Sequence, residues 1–305
     1  MVRDPTRTTA RNEEPELPPN IFVIGLLHDL KAGNYSRQAW GAFIRASWVR
    51  SLQIIQENGE LRSSWLRFAV AGITGIVIAT VAVLRFAPQD ALLFLVTSLL
   101  WWGVLMSDVG LHLGLMVNLE SGELQRTLGW PNRLTELRGF SSIWVAWGAH
   151  WASGGVYVPL VAVFGVAAAT DLVDGWLARR RHAATRWGRL YDPFIDGIFF
   201  SVSAISLAAI GVVPQWLAAL ITFRYAFPIV GGMAFLFVRR RTLRVRHTMW
   251  GRLSSGGIAV TVFAAAGMTW LGLPFSTVAP GLYVAVCIAM LGAFITILLK
   301  GIEQA

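Results

Sequence analysis

Eight apolar stretches, at about 66–86, 91–117, 134–152, 156–178, 192–211, 215–238, 251–271 and 278–299, constrain this chain more than any other feature. Each approaches the roughly 20 residues that a helix needs to cross the hydrocarbon core of a bilayer. Inside lipid a backbone must satisfy its own N–H and C=O groups, which long helices do without outside help. The expectation is an all-α integral membrane protein with about eight transmembrane helices. Composition agrees, with 55% apolar residues, 14% charged residues and 14 tryptophans among 305 residues. One cysteine, Cys287, lies inside an apolar run, so neither an internal disulfide nor a cysteine metal site is possible.

Charge orients the spans. With the N-terminus in the cytoplasm, the arginine-rich segments 118–133, 179–191 and 239–250 fall inside, and the turns near 88, 154, 213 and 275 fall outside. Arg85 and Asp90 are then the charged residues that face outward. In such a protein a net charge of +9 reports cytoplasmic loops and anionic head groups rather than nucleic acid. Residues 1–20 are charged and proline-rich with no apolar h-region, so neither a cleavable signal peptide nor fixed structure is expected there. The run IFVIGLLHDLKAG is too short to span. Next, RQAWGAFIRASWVRSLQIIQ sets arginine against apolar residues at helical spacing, as an amphipathic helix does on a membrane surface or on the protein's own cytoplasmic face.

The chemistry concentrates between Asp171 and Asp196, in DLVDGWLARRRHAATRWGRLYDPFID. The residues read D-x2-D-G-x2-A-R-x8-G-x3-D-x3-D. At about 100° per residue, Asp171 and Asp174 project roughly 60° apart and Asp192 and Asp196 roughly 40° apart, so each pair shares a helix face. Four facing carboxylates stay ionised only beside cations, and hard oxygen ligands suit Mg²⁺ or Mn²⁺; a site for two such ions is the natural reading. Gly175 and Ala178 leave room for a ligand to approach the backbone, and Arg179 adds a fixed positive charge near any phosphate.

With these residues the stretch resembles the signature of the CDP-alcohol phosphotransferases, membrane enzymes that move a phosphatidyl or similar group from a CDP-linked donor to an alcohol. The resemblance implies that Asp171, Asp174, Asp192 and Asp196 hold two divalent ions that bridge the donor diphosphate. It makes Asp196 also the base that deprotonates the acceptor hydroxyl. Gly175, Ala178, Arg179 and Gly188 would shape the CMP pocket. The family's first core helix often opens with P-N-x-x-T-x-x-R, matched here from Pro131 through Asn132 and Thr135 to Arg138. Asn132 and Thr135 would then border the nucleotide site, or else cap the helix. The chain thus divides into a cytoplasmic segment with a surface helix at 1–62, two extra spans at 63–130 and a six-helix core at 131–305. A homodimer is expected on the same ground.

Among family members the resemblance leans toward phosphatidylglycerophosphate and cardiolipin synthases. Arg224 sits where these enzymes carry an arginine, and Gly251, Arg252, Leu253, Ser254 and Ser255 match a glycine-basic-x-x-Ser/Thr element. Arg224 falls in mid-span, where an unpaired guanidinium is costly, so it should turn inward to an aqueous pocket. With Arg246 and Arg252 it forms the expected acceptor site, for a phosphorylated alcohol such as glycerol 3-phosphate. The chain departs from the pattern at Tyr225 and Gly197, where those enzymes usually carry glutamate and lysine, which keeps inositol phosphate and serine open as acceptors. A transporter would instead place charges near the midplane of several helices, and among the signature residues only Arg224 lies there. Asp108 and His112, four apart on the second span and outside the family core, read as a structural pair.

Overall fold

The structure is a computed structural model that describes residues 21–181, 184–239 and 249–304; within those helices, the side chains at 21, 168, 171–181, 233–239 and 300–304 are not described. The segment 1–20, expected to lack fixed structure, lies outside the described residues. So does Arg246.

Among the described residues the chain is all helical: α1 (Ile21–Ala32), α2 (Arg37–Glu57), α3 (Gly59–Phe86), α4 (Ala91–Leu111), α5 (Trp130–Ser153), α6 (Val158–Arg181), α7 (Arg186–Ala209), α8 (Gln215–Arg239), α9 (Met249–Trp270) and α10 (Phe275–Gln304). Each of the eight expected spans corresponds to one helix from α3 to α10. Among the described residues five of them, α3, α4, α7, α9 and α10, are long and apolar enough to cross a membrane on length and composition alone. This is a multi-pass membrane architecture.

The second span differs from its expected extent. Helix α4 stops at Leu111 rather than near 117, and a single 3₁₀ turn, Leu113–Leu115, follows it. The apolar run continues because Leu113 and Met116 are buried in protein, not because they face lipid. Hydropathy does not distinguish these two kinds of apolar surroundings. Beyond the turn the chain is stitched to the start of α7: Arg186 N–H donates to Val117 O at 2.9 Å, and Leu119 N–H to Ala184 O at 3.0 Å.

Helices α5 to α10 share one core, in which Phe164, Phe199, Leu217, Ile258 and Val262 are buried together. A second core joins the N-terminal helices to the first through Leu61, Trp102, Val109, Phe140, Trp187 and Ile195. Helices α5 and α6 cross tightly at Gly148, where an added Cβ would lie 2.7 Å from the Leu160 Cα. Only a residue without a side chain fits that crossing. Helix α2 starts on a Ser36 cap whose side chain accepts from Ala39 N–H at 3.2 Å, and it buries none of its residues fully. Its Ile54 and Ile55 rest against the second core, and Ser51 Oγ donates to Leu111 O at 2.5 Å. Ile44, Trp48, Val49 and Leu52 remain exposed.

Candidate active site

Helix α7 begins where polar chemistry is densest. Thr185 is its N-cap, its Oγ1 accepting from Gly188 N–H at 3.0 Å. The same hydroxyl donates to Asn132 Oδ1 at 2.9 Å, while Asn132 Nδ2 donates to Leu128 O at 2.8 Å. Asn132 is therefore no cap of α5, whose N-cap is Gly129 with φ 71°. One turn along α5, Thr135 Oγ1 donates to Asp192 Oδ1 at 2.9 Å. Gly188 belongs to this layer: a Cβ there would sit 3.2 Å from Asn132 Oδ1 and 3.7 Å from Asp192 Oδ2. The expected residues Asn132, Thr135, Gly188 and Asp192 thus meet through direct contacts.

Asp196, one turn further on α7, meets a residue that the sequence reading quoted but gave no role. Arg138 Nε lies 2.9 Å from Asp196 Oδ1, with the arginine 4% and the aspartate 30% exposed. Arg138 closes the Pro131–Arg138 element, so one element supports both of the later aspartates, through Thr135 and through Arg138.

Asp192 and Asp196 face a cavity of about 800 Å³, whose lining also includes Arg224, Tyr225, Arg252 and Ser255. Arg224 is buried, its Nε donating to Ser254 Oγ at 3.1 Å. Arg224 and Arg252 therefore share a cavity with two of the four signature aspartates. The two departures from the family pattern also meet. A Cβ on Gly197 would lie 3.0 Å from Tyr225 Cβ, so the tyrosine ring occupies the space beside position 197.

The end of the second extra span contributes to the same cavity, which the sequence did not suggest. Asp108 and His112 line it, with His112 Nδ1 3.2 Å from Asp108 Oδ1. The His112 ring stacks on Trp187, which stacks on Tyr191 at 4.0 Å between centroids. His112 lies just past the end of α4, and its hydrogen bond to the Asp108 carboxylate raises its pKa above the ordinary histidine value. Glu136, fully buried on α5, interacts electrostatically with both Asp108 and Asp192. No local signal marks Glu136, and the element that ends at Arg138 does not reveal the partner of that arginine, which comes from another helix.

The backbone of Asp171, Asp174, Gly175, Ala178 and Arg179 belongs to α6, while their side chains lie outside the described residues. Among the described residues no group of three or more His, Cys, Asp or Glu side chains is arranged to hold a metal ion. Two of the four signature carboxylates, Asp192 and Asp196, are described, and both offer the oxygen donors that Mg²⁺ or Mn²⁺ takes.

The fold and this cavity define a multi-pass membrane protein with a carboxylate- and arginine-lined site. Residues 128–298, more than half of the chain, match the CDP-alcohol phosphatidyltransferase family, and the chain belongs to that family. The family uses divalent metal ions. The chain is 30% identical over 142 residues to a probable phosphatidylglycerophosphate synthase of Mycobacterium tuberculosis, a match covering 47% of this chain and 62% of that protein. It is 28% identical over 117 residues to a probable cardiolipin synthase (CMP-forming) of Drosophila melanogaster, covering 38% of this chain and 35% of the relative. A third relative, the CDP-diacylglycerol–glycerol-3-phosphate 3-phosphatidyltransferase of Bacillus subtilis, is 33% identical over 69 residues, covering 23% and 35%. The matches thus span from about a third to three fifths of these relatives' lengths. No solved structure matches the chain.

Proposed function

We propose that this protein transfers a phosphatidyl group from a CDP-linked donor such as CDP-diacylglycerol to a phosphorylated alcohol, glycerol 3-phosphate being the first choice, with release of CMP. The observation that carries this reading is the single cavity that holds Asp192 and Asp196 together with Arg224 and Arg252. Carboxylates suit a donor diphosphate bridged by cations, and arginines suit an acceptor phosphate.

Asp171, Asp174, Asp192 and Asp196 would hold two divalent ions. Bound there, the ions would neutralise the donor diphosphate and the charge that develops on the leaving group. The chain's own residues do the rest. Thr135 orients Asp192 through its hydrogen bond. Asp196, aligned by Arg138, takes the proton of the acceptor hydroxyl. The acceptor oxygen bonds to the donor's β-phosphorus as the bond to CMP breaks in line. Gly188, Asn132, Gly175, Ala178 and Arg179 border the nucleotide. Arg224, with Arg252 and Arg246, holds the acceptor phosphate, and its planar fork can pair with two phosphate oxygens. Serine, with no net charge and a single carboxylate, would offer that guanidinium a weaker partner than a phosphate dianion does.

The same proposal places the protein in the cell membrane with the site at the cytoplasmic face, supported by the arginine-rich segments at that end, and takes the active form to be a homodimer. The test is incubation of the purified protein with labelled CDP-diacylglycerol and a panel of acceptors, followed by lipid chromatography. The expected result is CMP release with glycerol 3-phosphate, lost in excess EDTA and restored by Mg²⁺ or Mn²⁺. Full CMP release in EDTA, or a preference for serine over every phosphorylated alcohol, overturns it.

A further inference from the structure

A second cavity, of about 720 Å³, lies between α3, α5 and α6. Its walls are almost wholly apolar, with Phe68, Ile76, Trp102, Phe140, Trp144 and Val163 among them, and Arg67 and Arg133 stand at one end. The two guanidiniums are close enough to repel each other. Among the described residues neither has a carboxylate within ion-pair distance. Arg133 Nη2 donates to Ser64 Oγ at 2.9 Å, and its side chain lies over the Phe68 and Trp130 rings, but its buried Nε has no hydrogen-bond partner. An orphaned N–H and two unneutralised cations at the end of an apolar cleft are complementary to an anion that carries a hydrocarbon tail.

The dimensions agree. From Arg133 to Trp144 the cleft follows α5 for 11 residues, about 16 Å at the helical rise. That is about half of the roughly 30 Å hydrocarbon core, the depth of one leaflet. The cleft is also separate from the catalytic cavity. Its α5 residues, Trp130, Arg133, Leu137, Phe140, Ser141 and Trp144, recur every three or four positions along one stripe, whereas Thr135 is about 200° from Arg133 on the helical wheel. The body of α5 therefore stands between the two.

We propose that this cleft binds one anionic phospholipid of the surrounding membrane, with its phosphate between Arg67 and Arg133 and one acyl chain along α3 and α5. The site is distinct from the donor site and is completed by α3, which lies outside the region that matches the family. Native mass spectrometry on the delipidated full-length protein tests it, since the readout is binding and needs no turnover. The probes are dioleoyl phosphatidylglycerol, dioleoyl phosphatidylcholine and CDP-diacylglycerol. The wild-type protein should retain one phosphatidylglycerol at concentrations that leave phosphatidylcholine unbound. Arg67→Gln should weaken that binding about tenfold, the worth of a charge-assisted contact, and Arg67→Gln with Arg133→Gln more. Gly75→Leu should abolish it by filling the cleft, and a Cβ at this position meets no atom within 4 Å, so the fold should tolerate the change. Thermal melting confirms that each variant is folded, and Arg67→Gln and Gly75→Leu serve if the double variant is not. Gly75→Leu should still bind one CDP-diacylglycerol, because the donor site is separate from the cleft. Equal retention of phosphatidylcholine, unchanged phosphatidylglycerol binding in the folded variants, or complete loss of CDP-diacylglycerol binding in folded Gly75→Leu overturns the proposal.

Discussion

Replacing Arg138 by Gln tests how the proposed base is held. Arg138 is 4% exposed and its Nε lies 2.9 Å from Asp196 Oδ1, while Asp196 is 30% exposed toward the cavity. Removing one partner of a fully buried ion pair costs about 3–5 kcal/mol, most of it from the charge left behind. Because Asp196 keeps contact with cavity water, the expected loss of stability is smaller, about 2 kcal/mol. The kinetic effect should be larger. A positioned general base contributes about 10²–10⁴ in rate, and an unanchored carboxylate forfeits much of it, so kcat should fall about 100-fold. Donor affinity should fall much less than turnover, since three other aspartates share the hold on the bridging ions. Arg138→Lys should recover part of the rate, because an ammonium restores the charge but not the rigid planar donor. The assay pairs CMP release under saturating acceptor with donor binding to the same folded preparation. A kcat within about twofold of wild type, or equal losses in donor affinity and turnover, refutes the positioning role assigned to Arg138.

Other perturbations separate the remaining roles. Asp196→Asn should retain donor binding better than Asp171→Asn while losing turnover; near wild-type turnover in Asp196→Asn would show that another group takes the proton. Arg224→Gln should raise the acceptor KM at least about tenfold, the value of a lost charge-assisted contact, with little change in donor affinity; equal impairment of both substrates would remove Arg224 from the acceptor site. For His112 the sign follows from its raised pKa, caused first by its hydrogen bond to Asp108. The pair's stabilisation is complete below the unfolded histidine value of about 6.5 and is lost as pH rises through the higher folded value. The wild-type melting temperature should therefore fall more steeply than that of His112→Gln above about pH 6.5, and parallel curves would show that the pair does not contribute.

The helices and the aspartate spacing were legible because both are local. Apolar length marks a helix that must satisfy its own backbone, and offsets of three and four bring side chains to one face wherever the helix is placed. The same logic linked Asp108 to His112, which are 3.2 Å apart. It failed at 112–117, where apolar residues turn into the protein instead of continuing the helix, since burial in protein and exposure to lipid favour the same side chains.

The sequence by itself therefore determined a multi-pass helical chain, its family and the residue types of its site, all of which depend on spacing within single segments. Only the tertiary structure decided which distant segments meet. It set Arg138 against Asp196, Thr135 against Asp192 and Tyr225 against Gly197, and it brought Asp108 and His112 of the extra spans to the wall of the same cavity. Such contacts arise from the packing of whole helices across α4, α5, α7 and α8. No periodicity within one helix encodes which residue of another it will face.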